Sequence, residues 1–342
     1  MTNTTIISLN ANENPLGSSP KVIKKLTQMI SKLHLYPQRD DSKICQALTD
    51  YYQEKLNAQY FCVANSGCEI IELITRAFLT ADSETIICPP TFHIYEQMAK
   101  RQQSQIVKVP LKTPDFTYDL DSILNAITAK TRLIFTCNPN NPTGSTLPTS
   151  QLHTLLQKIP QNVTIVADEV YHHFSTQSDI HKTLNYTHNY PNLFVVQSFS
   201  KAYGLAGMRL GYAVAHPKSI QKIRRFYRTF HLSSLAIEAS IAALSDEQHL
   251  QKSIALVQQQ RQFIGEALQK LQIRYWPSEG NFILIQPQNA TRMYEYLIQN
   301  NIFVRKTDKS GLVGGLRISI GLPQHNRILI DTLTQYTKRR DA

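Results

Sequence analysis

Ser198-Phe199-Ser200-Lys201-Ala202-Tyr203-Gly204-Leu205-Ala206-Gly207-Met208-Arg209-Leu210-Gly211-Tyr212 is the stretch from which the rest of the chain can be ordered. It directly follows the apolar run Leu193–Gln197, so Lys201 falls at the carboxyl end of a strand, where wound α/β sheets place their ligands. Ser198, Ser200 and Arg209 surround the lysine with hydroxyl and guanidinium donors suited to a phosphate. Gly204, Gly207 and Gly211 allow close backbone approach. A lone lysine is ordinarily a solvated surface residue, and only this setting separates Lys201 from the others. A Schiff-base lysine beside a phosphate cradle points to pyridoxal phosphate.

Outward from this stretch, short β-branched runs alternate with helical patterns from about residue 59 to residue 214, the signature of a parallel sheet covered by helices. The runs are 60–63, 84–88, 105–109, 132–136, 164–167 and 193–197. Between them, 70–79, 94–101 and 152–159 repeat apolar residues at helical spacing. After Pro217 the pattern changes to two longer helices, 219–230 and 234–271, then to strand-like runs at 281–286, 302–304 and 316–320. A helix is expected from Pro20 with Ser19 as its N-cap. The expected fold is α/β: a three-layer αβα large domain with a mostly parallel sheet over residues 40–232. A smaller α+β unit is expected from residues 233–342 together with the leading segment 1–39.

The 342 residues suffice for about two such units. With 42% apolar and 18% charged residues, the composition is that of a globular chain. The formal charge of +11 comes from dispersed basic residues, clustered only at Arg224-Arg225 with Arg228 and at Lys338-Arg339-Arg340, which favours solubility and small anions over nucleic acid. Five cysteines without CxxC or Cys/His spacing argue against a disulfide framework or a metal site. No signal peptide is recognisable in the first fourteen residues and no apolar run reaches membrane-spanning length, so a cytoplasmic protein with neither membrane nor nucleic-acid partner is expected.

Asn65-Ser66-Gly67-Cys68-Glu69 opens the helical pattern at Ile70. The free N–H groups and positive dipole of a helix start favour a phosphate, which makes Ser66, Gly67 and Cys68 further cofactor-phosphate candidates. An ordinary serine N-cap would read the same way in isolation.

Several motifs, in order, resemble those of the fold-type I pyridoxal-phosphate-dependent aminotransferases, most closely the histidinol-phosphate aminotransferase family. They are 10–17 (NANENPLG), 88–92 (CPPTF), 138–144 (NPNNPTG), 167–171 (ADEVY), the lysine stretch, and 316–321 (LRISIG). The resemblance implies that Lys201 is the catalytic lysine and that Asp168 pairs with the cofactor's ring nitrogen. It implies that Asn141 and Tyr171 bond the ring hydroxyl oxygen, with Tyr171 also catalytic, and that Phe92 stacks on the ring. Arg317 would grip a carboxylate, Arg305 a distal phosphate, and Asn12 the substrate. Tyr36 would reach the neighbour's cofactor phosphate in a homodimer with shared active sites.

The family usually carries a longer leader with a tyrosine that closes the site, and a proline in the loop matched by 229–234; both features depart here. The implied reaction takes an amino group from histidinol phosphate to 2-oxoglutarate. A broad aromatic aminotransferase would use the same residues with an apolar side pocket, and a threonine-phosphate decarboxylase would be a lyase on the same scaffold. An aminotransferase-like transcription regulator would need a helix-turn-helix leader, and none precedes Asn10.

Overall fold

The inner apolar runs become strands because they are short, β-branched and buried on both faces, as a sheet covered by helices requires, while the run at 105–108 forms a half-buried edge. The computed structural model describes residues 6–53, 55–177 and 182–341; the side chains of residues 340 and 341, and so Arg340 of the basic tail, lie outside the description. In chain order the strands are β1 (Ile7–Ser8), β2 (Phe61–Ala64), β3 (Glu84–Ile87), β4 (Gln105–Lys108), β5 (Thr131–Cys137), β6 (Thr164–Asp168) and β7 (Leu193–Ser198). There follow β8 (Gly211–Ala215), β9 (Tyr275–Trp276), β10 (Phe282–Ile285), β11 (Ile302–Phe303), β12 (Arg305–Lys306) and β13 (Leu316–Ser319).

Seven strands form the main sheet in the order β2-β8-β7-β6-β5-β3-β4, and the α/β class with a mostly parallel sheet holds. β8 is absent from the six runs read in the sequence. It lies antiparallel between β2 and β7, an arrangement that needs no crossover helix, so residues 199–210 loop directly back with Lys201 near their start. The period of two along each strand separates two cores. Val166, Phe194 and Val196 face one cluster, under the helices Gly67–Phe78, Ile94–Arg101 and Pro217–Arg224; Ile165, Ala167 and Val195 face the other.

A four-stranded antiparallel sheet, β12-β13-β10-β9, packs against the helix Glu247–Lys270. The run at 302 does not join it: β11 pairs in parallel with β1, which ties the leading segment to the C-terminal part. Ser19 caps the helix Pro20–Met29 by accepting from the Val22 amide at 3.2 Å. Two helix expectations are corrected. The segment 234–271 is two helices, Ser234–Leu244 and Glu247–Lys270, because the Asp246 carboxylate accepts from the His249 amide and starts a new helix. The helix expected over 219–230 is Pro217–Arg224; proline starts it, and Phe230 takes a left-handed backbone, φ 59°, that no helix accommodates.

Candidate active site

The carboxyl ends of β5, β6 and β7, the start of helix Gly67–Phe78 and the segments carrying residues 305–317 enclose a cleft of about 360 Å³. Lys201, Asp168, Tyr171, Asn141, Phe92, Ser66, Gly67, Cys68, Ser198, Ser200, Arg209, Arg305 and Arg317 all line it.

The Lys201 Nζ donates to the Ala11 carbonyl at 3.1 Å and lies 5.6 Å from the Tyr171 ring centroid. Burial, then the nearby Arg317 charge, pulls its ammonium down to about 8, so a neutral amine is accessible near physiological pH. Asp168 closes β6, and its Oδ2 accepts from the Tyr95 hydroxyl at 2.6 Å while Oδ1 accepts from the Val170 amide at 3.3 Å. Burial pushes its carboxyl up to about 6, and those two donors with Lys201 pull against it.

Tyr171, its phenol pushed up to about 12 by burial, accepts at its hydroxyl from Asn12 Nδ2 at 3.1 Å and Asn141 Nδ2 at 3.4 Å. The Arg317 Nη1 donates to Asn141 Oδ1 at 2.7 Å and Nη2 to the Asn10 carbonyl at 2.8 Å. Its Nε is buried without a protein partner. Arg305 also donates to the Asn10 carbonyl, from Nε at 3.3 Å. The segment 10–12 therefore straps the cleft with carbonyls that hold three cations.

Ser66 caps the helix at Gly67 by accepting from the Glu69 amide at 3.3 Å, and Glu69 returns the contact by accepting from the Asn65 amide at 2.5 Å. Gly211 lets β8 pass this helix start, since a Cβ there would meet the Gly67 nitrogen at 2.4 Å. Gly204 likewise admits the Gly17 carbonyl, whereas Gly207 is open on all sides and serves no close approach. Ser198 Oγ accepts from the Ser200 amide at 3.1 Å, and Arg209, at φ 54°, donates to the Ala206 carbonyl at 2.9 Å.

Two residues singled out in the sequence are not on this wall. Asn12 is fully buried; besides its bond to Tyr171, its Oδ1 accepts from Ser319 Oγ at 2.9 Å, so it braces Tyr171 rather than reaching the cleft. Tyr36 is 86% exposed, with its ring 5.3 Å from Phe230, and takes no part in the cleft of its own chain. Conversely, Glu13, His93, Lys306 and Lys309 line the cleft without having stood out in the sequence. Tyr95 was missed as well; its place one helical turn after Phe92 was the available signal.

The model for aminotransferase class I and II matches residues 4–333 of the chain. The chain belongs to the class I and II aminotransferases. Among aminotransferase relatives, histidinol-phosphate aminotransferase 1 of Idiomarina loihiensis is 34% identical over 329 residues, 96% of this chain and 89% of that protein. Histidinol-phosphate aminotransferase of a Geobacillus species is 33% identical over 338 residues, covering 98% and 92%. The crystal structure of histidinol-phosphate aminotransferase from Sinorhizobium meliloti in complex with pyridoxal-5'-phosphate superposes with a TM-score of 0.90 at 23% identity, covering 98% of this chain and 91% of that one. This aminotransferase thus shares the fold of that enzyme along nearly its whole length.

Proposed function

We propose that this aminotransferase uses pyridoxal phosphate to move an amino group from histidinol phosphate to 2-oxoglutarate. The observation that carries the reading is the charge of the cleft: six cationic side chains, Lys201, Arg209, Arg305, Lys306, Lys309 and Arg317, face two carboxyl groups, Glu13 and Asp168. Such a wall suits a phosphorylated cofactor and a phosphorylated substrate together.

The donor set fits the cofactor. Ser66, Ser198, Ser200, Arg209 and the amides at the helix start offer a phosphate site. Asp168 offers a carboxylate to a ring nitrogen, Asn141 and Tyr171 offer hydrogen bonds to a ring hydroxyl, and Phe92 offers a face to the ring. When bound, pyridoxal phosphate supplies a carbonyl for the lysine and an electron sink for the substrate's Cα–H bond electrons.

Lys201 is the base that takes the Cα proton at Nζ and later returns it, a role its lowered proton affinity suits. Arg317 binds the α-carboxylate of glutamate in one half-reaction and assists Arg305 at the phosphate of histidinol phosphate in the other. Its free Nε leaves a donor for the substrate. Asn12 holds Tyr171 in place. Residues 40–232 form the cofactor-binding domain, and residues 1–39 with 233–342 form the part that carries the two substrate arginines.

The active unit is a homodimer. Exposed Ile30, Leu33, Leu35, Tyr36 and Phe230 support an apolar contact between copies, with Tyr36 serving the neighbour's cofactor phosphate. Mixing inactive Tyr36→Phe and Lys201→Ala chains should then restore activity, because both defects fall in one site and leave the other whole. The cysteines of the described residues are free, which suits the reducing cytoplasm, and no helix there is long and apolar enough to cross a membrane.

A half-reaction screen tests the substrate. Histidinol phosphate should convert the bound cofactor to its amine form, read by absorbance, faster than phenylalanine or tyrosine. Preference for the aromatic amino acids would replace this reading with a broad aromatic aminotransferase, and carbon dioxide released from threonine phosphate would replace it with a decarboxylase.

A further inference from the structure

The carboxylate assigned to the cofactor's ring nitrogen has a partner of its own. Tyr95 lies in the first turn of the helix Ile94–Arg101, is wholly buried, and does not line the cleft. Its ring stacks on Phe135 with centroids 4.7 Å apart and planes within 7°, and meets Phe92 edge-on at 5.7 Å. Its hydroxyl donates to Asp168 Oδ2 at 2.6 Å, the short distance of an O–H to carboxylate bond, with the Cys137 thiol as its other hydrogen-bonding neighbour.

The acidic groups packed around Asp168 are neutral near pH 7. Burial pushes the thiols of Cys68 and Cys137 and the phenols of Tyr95, Tyr118 and Tyr171 upward, and raises Glu169 to about 8. Of the cleft's cations, Lys201 is the one whose charge pulls on Asp168. Burial works against a charged Asp168, and Tyr95 donates the shortest bond opposing it.

We propose that Tyr95 is a positioning residue: its hydroxyl holds Asp168 as an oriented carboxylate and thereby keeps the shared proton on the cofactor's ring nitrogen instead of on Oδ. This rests on the pairing of Asp168 with that nitrogen. Without the hydroxyl, the buried carboxylate becomes the stronger base, the proton passes from nitrogen to oxygen, and the ring loses the positive charge that draws electrons from Cα. One hydrogen bond to a charged group shifts such a balance by about ten- to a hundredfold.

The test is nitrogen NMR of the holoenzyme carrying pyridoxal phosphate labelled with 15N in the ring, followed from pH 6 to 9. Wild type should show the protonated-ring signal, and Tyr95→Phe, which keeps the stacked ring, should move it toward the free-pyridine position. Replacing Tyr95 with 3-fluorotyrosine, a stronger donor of nearly the same size, should move the balance the other way and covers the case in which Tyr95→Phe folds poorly. A purely structural tyrosine would change melting temperature or cofactor affinity but leave the nitrogen signal in place, and that result overturns the proposal. Asp168→Asn separates the two layers. If it abolishes ring protonation while the Tyr95 variants do not alter it, the Tyr95 role alone fails; if it changes nothing, the pairing of Asp168 fails and this inference with it.

Discussion

Asp168 and Glu169 are consecutive and both buried, yet they serve cavities on opposite sides of one sheet. Asp168 and Ser198 face the cleft. Glu169 and Gln197 line a second cavity of about 520 Å³, walled by Tyr51, Tyr52, His172 and the helix Glu247–Lys270. Burial raises both carboxyls, Asp168 to about 6 and Glu169 to about 8. In front, the Tyr95 hydroxyl, the Val170 amide and Lys201 pull the proton affinity back down. Behind, a bond from Thr183 is the opposing pull, the charge of Asp168 pushes further upward, and Glu169 Oε1 and both amide atoms of Gln197 have no protein partner. A buried carboxyl stays near ionisation only where donors are aimed at it; elsewhere it remains a neutral acid. The front cavity is organised for charge and chemistry, the rear for neutrality.

Variants on the two faces should therefore divide between activity and stability. The largest effect is expected at Lys201: Lys201→Ala should lower turnover by at least about a thousandfold with little change in melting temperature, since one general base is worth up to about four decades. Borohydride reduction of the wild-type holoenzyme followed by peptide mapping should find the cofactor on Lys201, and label on another lysine would break the assignment.

Next comes Arg305→Ala, which removes a charge-assisted bond of about 1.5–3 kcal/mol. It should lower kcat/KM for histidinol phosphate by about one to two decades and affect phenylalanine much less. Equal losses on both substrates would place Arg305 outside phosphate recognition.

The pH dependence sharpens the front half of the comparison. Lys201 must be neutral to attack the cofactor's carbonyl, so the rate of cofactor uptake by the apoprotein should rise with pH and level off above about 8. Arg317→Ala removes a repelling charge, so the midpoint should move upward. A midpoint that stayed in place would detach Arg317 from the lysine.

The smallest effect belongs to the rear cavity. Folding raises Glu169 from its ordinary 4.5 to about 8, so the folded chain keeps a proton that the unfolded chain releases. Stability from this group is complete below pH 4.5 and falls as pH rises toward 8. Glu169→Gln, neutral in both states, should raise the melting temperature by several degrees at pH 8, on the order of 4 kcal/mol, and by less at pH 5. Turnover should stay within about twofold of wild type. A large loss of activity would tie the rear cavity to the reaction and erase the division drawn between the two faces.

The difference between the faces also explains what could be read from sequence. Lys201, Asp168, Asn141 and Arg317 stand inside short motifs at strand ends, where neighbours in the chain are neighbours in space, and the cleft gathers all four. Tyr95 escaped notice because its partner lies 73 residues away and a buried tyrosine is ordinarily core. β8 escaped because Gly211–Ala215 is short and glycine-led, and only pairing with β2 and β7 makes it a strand. Asn12 stood inside a motif, but its direction did not: whether it meets substrate or braces Tyr171 depends on Ser319, 307 residues further on.

That last separation bears on biosynthesis. On the ribosome Asn12 emerges early, and the strand that holds it, β13, is made near the end. Every strand of the main sheet and the loop of Lys201 are synthesised while the strap at 10–12 still lacks Ser319, Arg317 and Arg305 to lie against. The cleft's strap therefore finds its place only when both ends of the polypeptide have met.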